Sequence, residues 1–286
     1  MTSDNPYMIF GPALISFSGG RTSGMMLWKI LDAHGGELPD DVLIAFANTG
    51  KEREETLRFV HDCSTHWGIH INWLEWRRRE RGDPWEDGYT RVGLNSASRN
   101  GEPFTALIQQ KKYLPNPVTR FCTIELKIRV MRNFAKAHGW KNWKNIVGLR
   151  RDEMSRVFKG IERNENGSDP WTSVFPMASA PPHGLTEKDV MEFWSGQPFD
   201  LQLKQYEGNC DACFLKGRAT KMRLERDNPG ILDWWVEAEK TCPATNQSGA
   251  QFRSEESVED IQKAAINSPL LPGIDEEFEG CDFLCA

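Results

Sequence analysis

Apolar and polar positions alternate between two periods along the first half of the chain. The runs Ala13–Phe17, Val42–Ala47 and Asn145–Leu149 are short and almost continuously apolar, and Ile69–Glu75 alternates. Such runs read as buried strands. Between them lie stretches with helical spacing: Ser23–Ala33, whose stripe is Met25, Met26, Ile30 and Leu31, then Glu54–Trp67 and Ile124–His138. Strands that alternate with helices predict an α/β fold. The expected form is a doubly wound, mainly parallel sheet with helices on both faces. Further helices are expected at Pro103–Lys111, Thr186–Trp194, Ala219–Arg226 and Ile231–Glu239. Thr186 as N-cap and Asp189 at N3 mark the start of one of them. The proline-rich connector Ser179–Gly184 places a boundary there. Residues 1–178 are expected to form a nucleotide-binding α/β domain, and residues 179–286 a smaller, mostly helical, cysteine-bearing region packed on it.

The junction after the first strand carries the strongest chemical signal. Ile15-Ser16-Phe17 runs into Ser18-Gly19-Gly20-Arg21-Thr22-Ser23, and a helix follows. A strand, a small-residue turn and a helix N-terminus converge backbone N–H groups and the positive end of the helix dipole on one point. Ser18, Thr22 and Ser23 add hydroxyls, so the turn is a candidate phosphate site. It lacks the Gly-Lys-Ser/Thr ending of a Walker A loop, and no GxGxxG is present.

Three other segments carry candidate chemistry. Gly148-Leu149-Arg150-Arg151-Asp152-Glu153, with Arg156 beyond, gathers arginines at a strand end, which suits multidentate phosphate or sulfate binding. Asp152 and Glu153 are there to orient those arginines or to help hold Mg²⁺. Cys122 precedes a helix and has Lys127 nearby, a setting that stabilises a thiolate. Cys210-Asp211-Ala212-Cys213 spaces two thiols to reach one metal or cluster, a zinc ion shared with other ligands, or each other as a redox dithiol. Cys63 falls at an apolar spacing from Phe59 and reads as core, and Cys242 reads as packing. The six histidines show no paired ligand spacing.

Composition narrows the class. The 286 residues carry a net charge of −6, so the chain as a whole is not a basic nucleic-acid binder. The charge is uneven: Arg120 to Lys144 holds seven Lys/Arg and one acid, and Ser254 to Ala286 holds nine acids and one Lys. The run Arg77-Arg78-Arg79-Glu80-Arg81 is a further basic cluster within a loop-rich region. No stretch is long and apolar enough to span a membrane, and the N-terminus lacks a signal-peptide layout. A cytoplasmic location is expected, and the seven cysteines are then read as metal, cluster or catalytic groups rather than a disulfide framework.

The SGGxxS order after an N-terminal strand resembles the PP-loop of the adenine-nucleotide α-hydrolase superfamily. Within it the chain is most similar to the phosphoadenylyl-sulfate reductase family. The string ANTGKEREETLRFV resembles the turn that contacts adenosine and ribose in that family, and GLRRDEMSR resembles its phosphate-facing segment. RFCTIELKI looks more like the ATP-dependent sulfur-transfer component of DNA phosphorothioation systems. The resemblance extends to about residue 220 and implies a Rossmann-like fold. It assigns Ser18, Gly19, Gly20, Arg21, Thr22, Ser23, Asn48, Thr49, Glu55 and Gly148 to the nucleotide. It gives Arg150, Arg156 and Lys127 the catalytic roles. It also implies a [4Fe–4S] cluster on Cys122, Cys210 and Cys213, with Cys285 preferred over Cys281 or Cys242 as fourth ligand. The Glu-Cys-Gly-x-His context of the reductases is absent: the chain ends Glu-Gly-Cys-Asp-Phe-Leu-Cys-Ala.

The expected activity is therefore adenylation-linked sulfur transfer. The nucleotide is ATP with Mg²⁺ or an adenylyl-sulfate. The acceptor is a nucleic acid or a small metabolite, and a sulfur-donor protein is a candidate partner. Two alternatives stay open: thiol-dependent reduction of phosphoadenylyl-sulfate to sulfite, and a non-catalytic nucleotide-binding cluster subunit of a larger complex.

Overall fold

The computed structural model describes residues 5–245 and 249–268. In chain order the elements are β1 (Ala13–Ser16), α1 (Arg21–Ala33), β2 (Val42–Asn48), α2 (Glu54–Trp67), β3 (Asn72–Trp76), β4 (Tyr89–Val92) and α3 (Glu102–Lys111). A π-helical segment, Thr123–Arg129, leads directly into α4 (Val130–Ala137). Then come β5 (Trp143–Val147), α5 (Met154–Glu165), β6 (Trp171–Val174), α6 (Pro176–Ser179) and α7 (Glu187–Ser195). The helices α8 (Arg218–Asp227), α9 (Asp233–Thr241) and α10 (Val258–Asn267) complete the described chain.

The six strands form one sheet in the order β4-β3-β2-β1-β5-β6. All neighbours pair in parallel except β3 and β4. The sheet is thus mostly parallel with a helical C-terminal part, as the periodicity predicts. From β1 the chain winds outward to β2 and β3, then returns to the other side of β1 with β5 and β6. That reversal makes the β1–β5 pair the switch point, and the crevice beyond its carboxyl ends is where open α/β sheets bind ligands.

Alternate residues of each inner strand feed opposite layers. Ile15, Phe17, Ile44 and Phe46 pack with Met26, Phe59 and Trp194 of α1, α2 and α7. Leu14, Ala45, Ala47 and Leu74 pack with Val130 and Phe134 of α4. Burial on both faces is why these strands read as unbroken apolar runs. A third cluster joins Phe104 and Leu107 of α3 and Leu126 of the π segment to Phe214, Trp235, Phe252 and Ile261.

The packing departs from the expected boundary at residue 178. Val190, Trp194, Leu201 and Leu203 belong to the core under the sheet, whereas α3 and the π segment belong to the third cluster. Other departures have local causes. The helix after β1 starts at Arg21, two residues before the expected Ser23. β5 ends at Val147 because Leu149 N–H turns back onto the Val147 carbonyl at 2.9 Å, so Gly148 to Arg150 leave the sheet. The helix expected over Ile124–His138 is π-helical in its first half. At Thr186 the expected capping box is present, with Asp189 accepting from the Thr186 N–H at 2.7 Å. No helix among the described residues is long and apolar enough to cross a membrane.

Gly101 ties the two regions together. Its N–H donates to the Gly50 carbonyl at 2.8 Å, its φ is +77°, and a Cβ there would collide with the Trp234 indole. Gly101→Ala is expected to destabilise the protein by about 2–4 kcal/mol through backbone strain and overpacking. Thermal unfolding checks this; an unchanged melting temperature would refute the docking of α3 on α9.

Candidate functional site

The β1–α1 turn is shaped to receive an anion. Gly20 caps α1 without any side-chain hydrogen bond, and the backbone N–H groups of Gly20, Arg21, Thr22 and Ser23 have no acceptor among the described residues. The Ser18 N–H donates to Ser23 Oγ at 3.2 Å, and the two hydroxyls lie 2.9 Å apart. Ser23 Oγ in turn donates to the Gly20 carbonyl at 2.9 Å, which closes the turn on itself. Gly19 adopts φ +76°, and a Cβ there would sit 2.7 Å from Thr56 Cγ2. Only glycine fits that conformation and that space.

The segment after β5 lies against this turn. The nearest atoms to a Cβ at Gly148 would be Ser23 Cα and N, at 3.2 and 3.4 Å. Arg150 is 3% exposed and reaches across the switch point, where its Nη1 donates to Thr22 Oγ1 at 3.1 Å. Its other nitrogens fork onto Asp152 at 2.8 and 3.2 Å. Glu153 accepts from the Arg150 N–H at 3.1 Å and pairs with the Arg156 guanidinium. Asp152 and Glu153 therefore orient the two arginines, the first of the two roles the sequence allows them. Ser18, Gly19, Gly20, Thr22, Ser23, Gly148, Arg150 and Arg156 thus gather at one crevice.

Three residues expected at the nucleotide have side chains engaged within the protein. The Arg21 guanidinium turns away from the turn, forking onto Asp200 at 2.7 and 2.6 Å and donating to the Leu203 carbonyl at 3.0 Å. It braces α1 against the segment after α7, and only its backbone N–H faces the cradle. Asn48 is fully buried. Its amide donates to Glu75 at 2.6 Å and to the Ser98 carbonyl at 2.9 Å, and its oxygen accepts from the Gly50 N–H. The Thr49 hydroxyl and N–H both donate to Glu52 Oε2, at 2.8 and 2.7 Å. These side chains organise the β2–α2 turn. Glu55 is half-buried and pairs with Arg53 at 3.2 Å.

Glu52, passed over as a site residue in the sequence, is the hub of that turn. Its side chain is wholly buried; Oε2 serves Thr49, and Oε1 lies 3.5 Å from Lys127 Nζ. Lys127 belongs to the π segment, in which hydrogen bonds run from i to i+5. Cys122 immediately precedes this segment. Glu52 also forms an isolated antiparallel bridge with Cys210. The CxxC strand is stitched to this turn by two backbone bonds, Arg53 N–H to the Asn209 carbonyl at 2.8 Å and Asp211 N–H to the Lys51 carbonyl at 2.9 Å. Asn209 extends the stitch to the β1–α1 turn, donating to the Ser18 carbonyl at 2.8 Å. Beneath it, Lys51 and Asp211 form a largely buried ion pair at 2.7 Å, and the Trp235 indole donates to Asp211 at 2.8 Å.

Two buried ammonium groups underlie the CxxC turn. Lys216 donates to the Tyr206 carbonyl at 3.1 Å, and Lys221 to the Phe214 carbonyl at 3.3 Å. The Lys221 pKa is lowered to about 8, by burial first and by Arg253 next, with Cys213, Glu239 and Glu255 acting in the opposite sense. No group of three or more His, Cys, Asp or Glu among the described residues is placed to hold a metal ion, and Cys281 and Cys285 lie outside those residues. Cys63 is core, and desolvation raises its thiol pKa far above the ordinary range. Cys242 packs against the third cluster, as its sequence setting indicates.

Fold and site together define an α/β protein with, at its switch point, a turn of backbone donors unpaired among the described residues and a cysteine turn laced to it. No family model matches the chain. It is 31% identical over 226 residues to the uncharacterized nin region protein ORF290 of Escherichia phage lambda, a match covering 76% of this chain and 71% of that protein. The chain belongs to the family of that phage protein. A shorter match, 42% identical over 60 residues, covers 21% of this chain and 12% of the uncharacterized protein MJ0066 of Methanocaldococcus jannaschii.

Lys221 makes stability depend on pH in a predictable direction. Its folded pKa, about 8, lies below the unfolded lysine value, so the unfolded chain binds more protons between about pH 8 and 10.4. The penalty for burying the ammonium is present below pH 8 and is relieved as pH rises through that window. Relative to Lys221→Met, the wild type is expected to gain about 3 kcal/mol from pH 8 to 10.4. Denaturant unfolding of both proteins across this range checks it, and a constant difference would refute the assignment.

Proposed function

We propose that this protein is a nucleotide-dependent enzyme that binds ATP or an adenylyl-sulfate at the β1–α1 turn and carries out adenylation-linked sulfur transfer. The observation that carries this reading is the set of four successive N–H donors at residues 20–23, without acceptors among the described residues, facing the buried Arg150 across the switch point. The likeness of the SGGxxS turn and the GLRRDEMSR segment to the phosphoadenylyl-sulfate reductase family supports the same reading.

In this scheme the nucleotide phosphates lie along the turn, and Mg²⁺ enters with them, since Asp152 and Glu153 are engaged by the arginines. An acceptor oxygen attacks the α-phosphorus, the bond to the β-phosphate breaks, and pyrophosphate leaves. Arg150, released from Thr22, and Arg156 stabilise the charge that develops on the phosphates. A sulfur nucleophile then displaces AMP at the activated atom. Lys127, held by Glu52 beside Cys122, supplies a cation to the sulfur end of the site. Cys122, Cys210 and Cys213, with Cys285, are assigned to a [4Fe–4S] cluster whose chemistry is to carry sulfur. The supporting feature is a CxxC turn over two buried lysines and laced to the phosphate turn, a setting suited to an anionic cluster.

The test incubates anaerobically purified protein with Mg²⁺-ATP, or with phosphoadenylyl-sulfate and a dithiol, and measures pyrophosphate, AMP and sulfite. Pyrophosphate with AMP is expected; sulfite instead would make the protein a reductase. Arg150→Gln is expected to lower product formation about 100-fold, the scale for removing one charge-stabilising donor. Gly19→Ala is expected to abolish nucleotide binding. Unchanged ATP affinity in Gly19→Ala would refute the site. Separately, the anaerobic protein is expected to contain about four iron and four sulfide per chain. Metal-free protein with intact activity would remove the cluster from the scheme.

A further inference from the structure

The outer surface of α4 carries arginines that the site above does not use. Arg129 closes the π segment and Arg132 lies three residues on, on the first turn of α4. The loop that leaves the carboxyl end of β3 crosses this helix, and a Cβ at Gly88 would meet both the Asn133 amide and Arg79 Cδ, at 3.2 Å from the latter, which places Arg79 against α4. The Arg79 guanidinium lies 4.1 Å from the Trp85 ring centroid, and its Nε donates to the Pro84 carbonyl at 2.9 Å, so its position is built rather than incidental. Gly88 fixes the loop on the helix, since a Cβ there would clash with the Asn133 amide.

Arg132 is the anomaly. Its Nε is buried with no hydrogen-bond partner, and it makes no ion pair among the described residues. Its pKa is lowered by burial, then by the like charges Arg129 and Arg79, with Glu125 and Asp169 opposing. Those two carboxylates are already shared: Glu125 pairs with Lys111 at 2.8 Å and Arg129 at 2.6 Å, and Asp169 with Arg163 at 2.9 Å. The two carboxylates that act on Arg132 are therefore already paired with other cations, in a chain that is acidic overall. Like charges drawn together around a partly buried, unsatisfied guanidinium are costly without an anion to receive them. Planar forked donors are the groups that hold phosphate oxygens bidentately.

We propose that Arg79, Arg129 and Arg132 form a second oxyanion site, which takes a phosphoryl group and is distinct from the β1–α1 turn. The phosphoryl group has two sources, a free phosphate or a diester in a nucleic-acid strand, and the two predict different behaviour. A strand releases counterions on binding, so its affinity falls steeply with salt. Inorganic phosphate occupies the site alone and with a shallower salt dependence.

The experiment measures binding of inorganic phosphate by calorimetry, and of a fluorescein-labelled oligothymidine by anisotropy, to the full chain at several salt concentrations. At least one probe is expected to bind, and Arg132→Gln is expected to weaken that binding at least tenfold. ATP affinity should be unchanged in this variant, which separates the site from the nucleotide reading. The thermal midpoint of the variant is expected to equal or exceed that of the wild type, because a like charge has been removed. Oligothymidine binding with a steep salt slope identifies a strand backbone as the ligand, and phosphate binding alone identifies a small anion. If neither probe binds, or if Arg132→Gln binds as the wild type does, the proposal is overturned. A lowered midpoint without loss of binding would make Arg132 a structural residue and also overturns it.

Discussion

The backbone stitch between residues 51–53 and 209–211 is the constraint on which the site depends. The β1–α1 turn belongs to the core under the sheet, and the CxxC turn leads into the cluster built by α3, α8, α9 and α10. Left to their own packing, these two hydrophobic bodies would have no fixed register. Two backbone hydrogen bonds, the Asn209–Ser18 contact and the Lys51–Asp211 pair supply it. The ion pair is nearly buried, so its Coulombic gain is offset by the cost of taking two charges from water, and its net stabilisation is small. Its effect is on register: a slip by one residue would leave both charges buried and unpaired, at about 3–5 kcal/mol. The pair thus penalises every wrong docking while adding little to the right one.

The same economy governs the β2–α2 turn. Glu52 is shielded from solvent; Thr49 donates twice to its Oε2, and Lys127 faces its Oε1 at 3.5 Å. Its backbone bridges Cys210, and its side chain faces the helix that begins after Cys122. One carboxylate therefore sets the relation between the two cysteine-bearing segments. The segment that carries Lys127 is π-helical, a winding that occurs frequently at functional sites.

What the sequence made legible follows from the range of the interactions involved. The strand–turn–helix at Ser18–Ser23, the helix at Glu54–Trp67 and the capping box at Thr186 rest on contacts within a few residues, and pattern alone reveals them. The parallel sheet was legible because double burial leaves continuous apolar runs. β4 and β6 were not, since they are four-residue edge strands with exposed positions. α5 lacks an apolar stripe: only Val157 is buried, and Phe158 and Ile161 stay exposed. Among site residues, those defined by backbone geometry (Gly19, Gly20, Gly148) were readable. Those defined by a distant partner were not. Arg21 meets Asp200, and Asn48 meets Glu75 and Ser98, across separations that no local pattern encodes.

Charge follows the architecture more closely than it follows the chain. An overall net charge of −6 conceals two groups of arginines. At the switch point Arg150 and Arg156 are neutralised in advance by Asp152 and Glu153, so they are held in position without repelling each other. In the proposed scheme an incoming phosphate competes with these carboxylates for the same donors. On α4 the opposite balance applies. Glu125 and Asp169 are each spent on another cation, and Arg132 keeps an unsatisfied nitrogen. The first arrangement favours exchange, with arginines that let go of one anion to take another, as turnover requires. The second favours retention, since an anion there satisfies groups that nothing else among the described residues satisfies. The same residue type is thus set for two different tasks by whether its carboxylate partners are its own or shared.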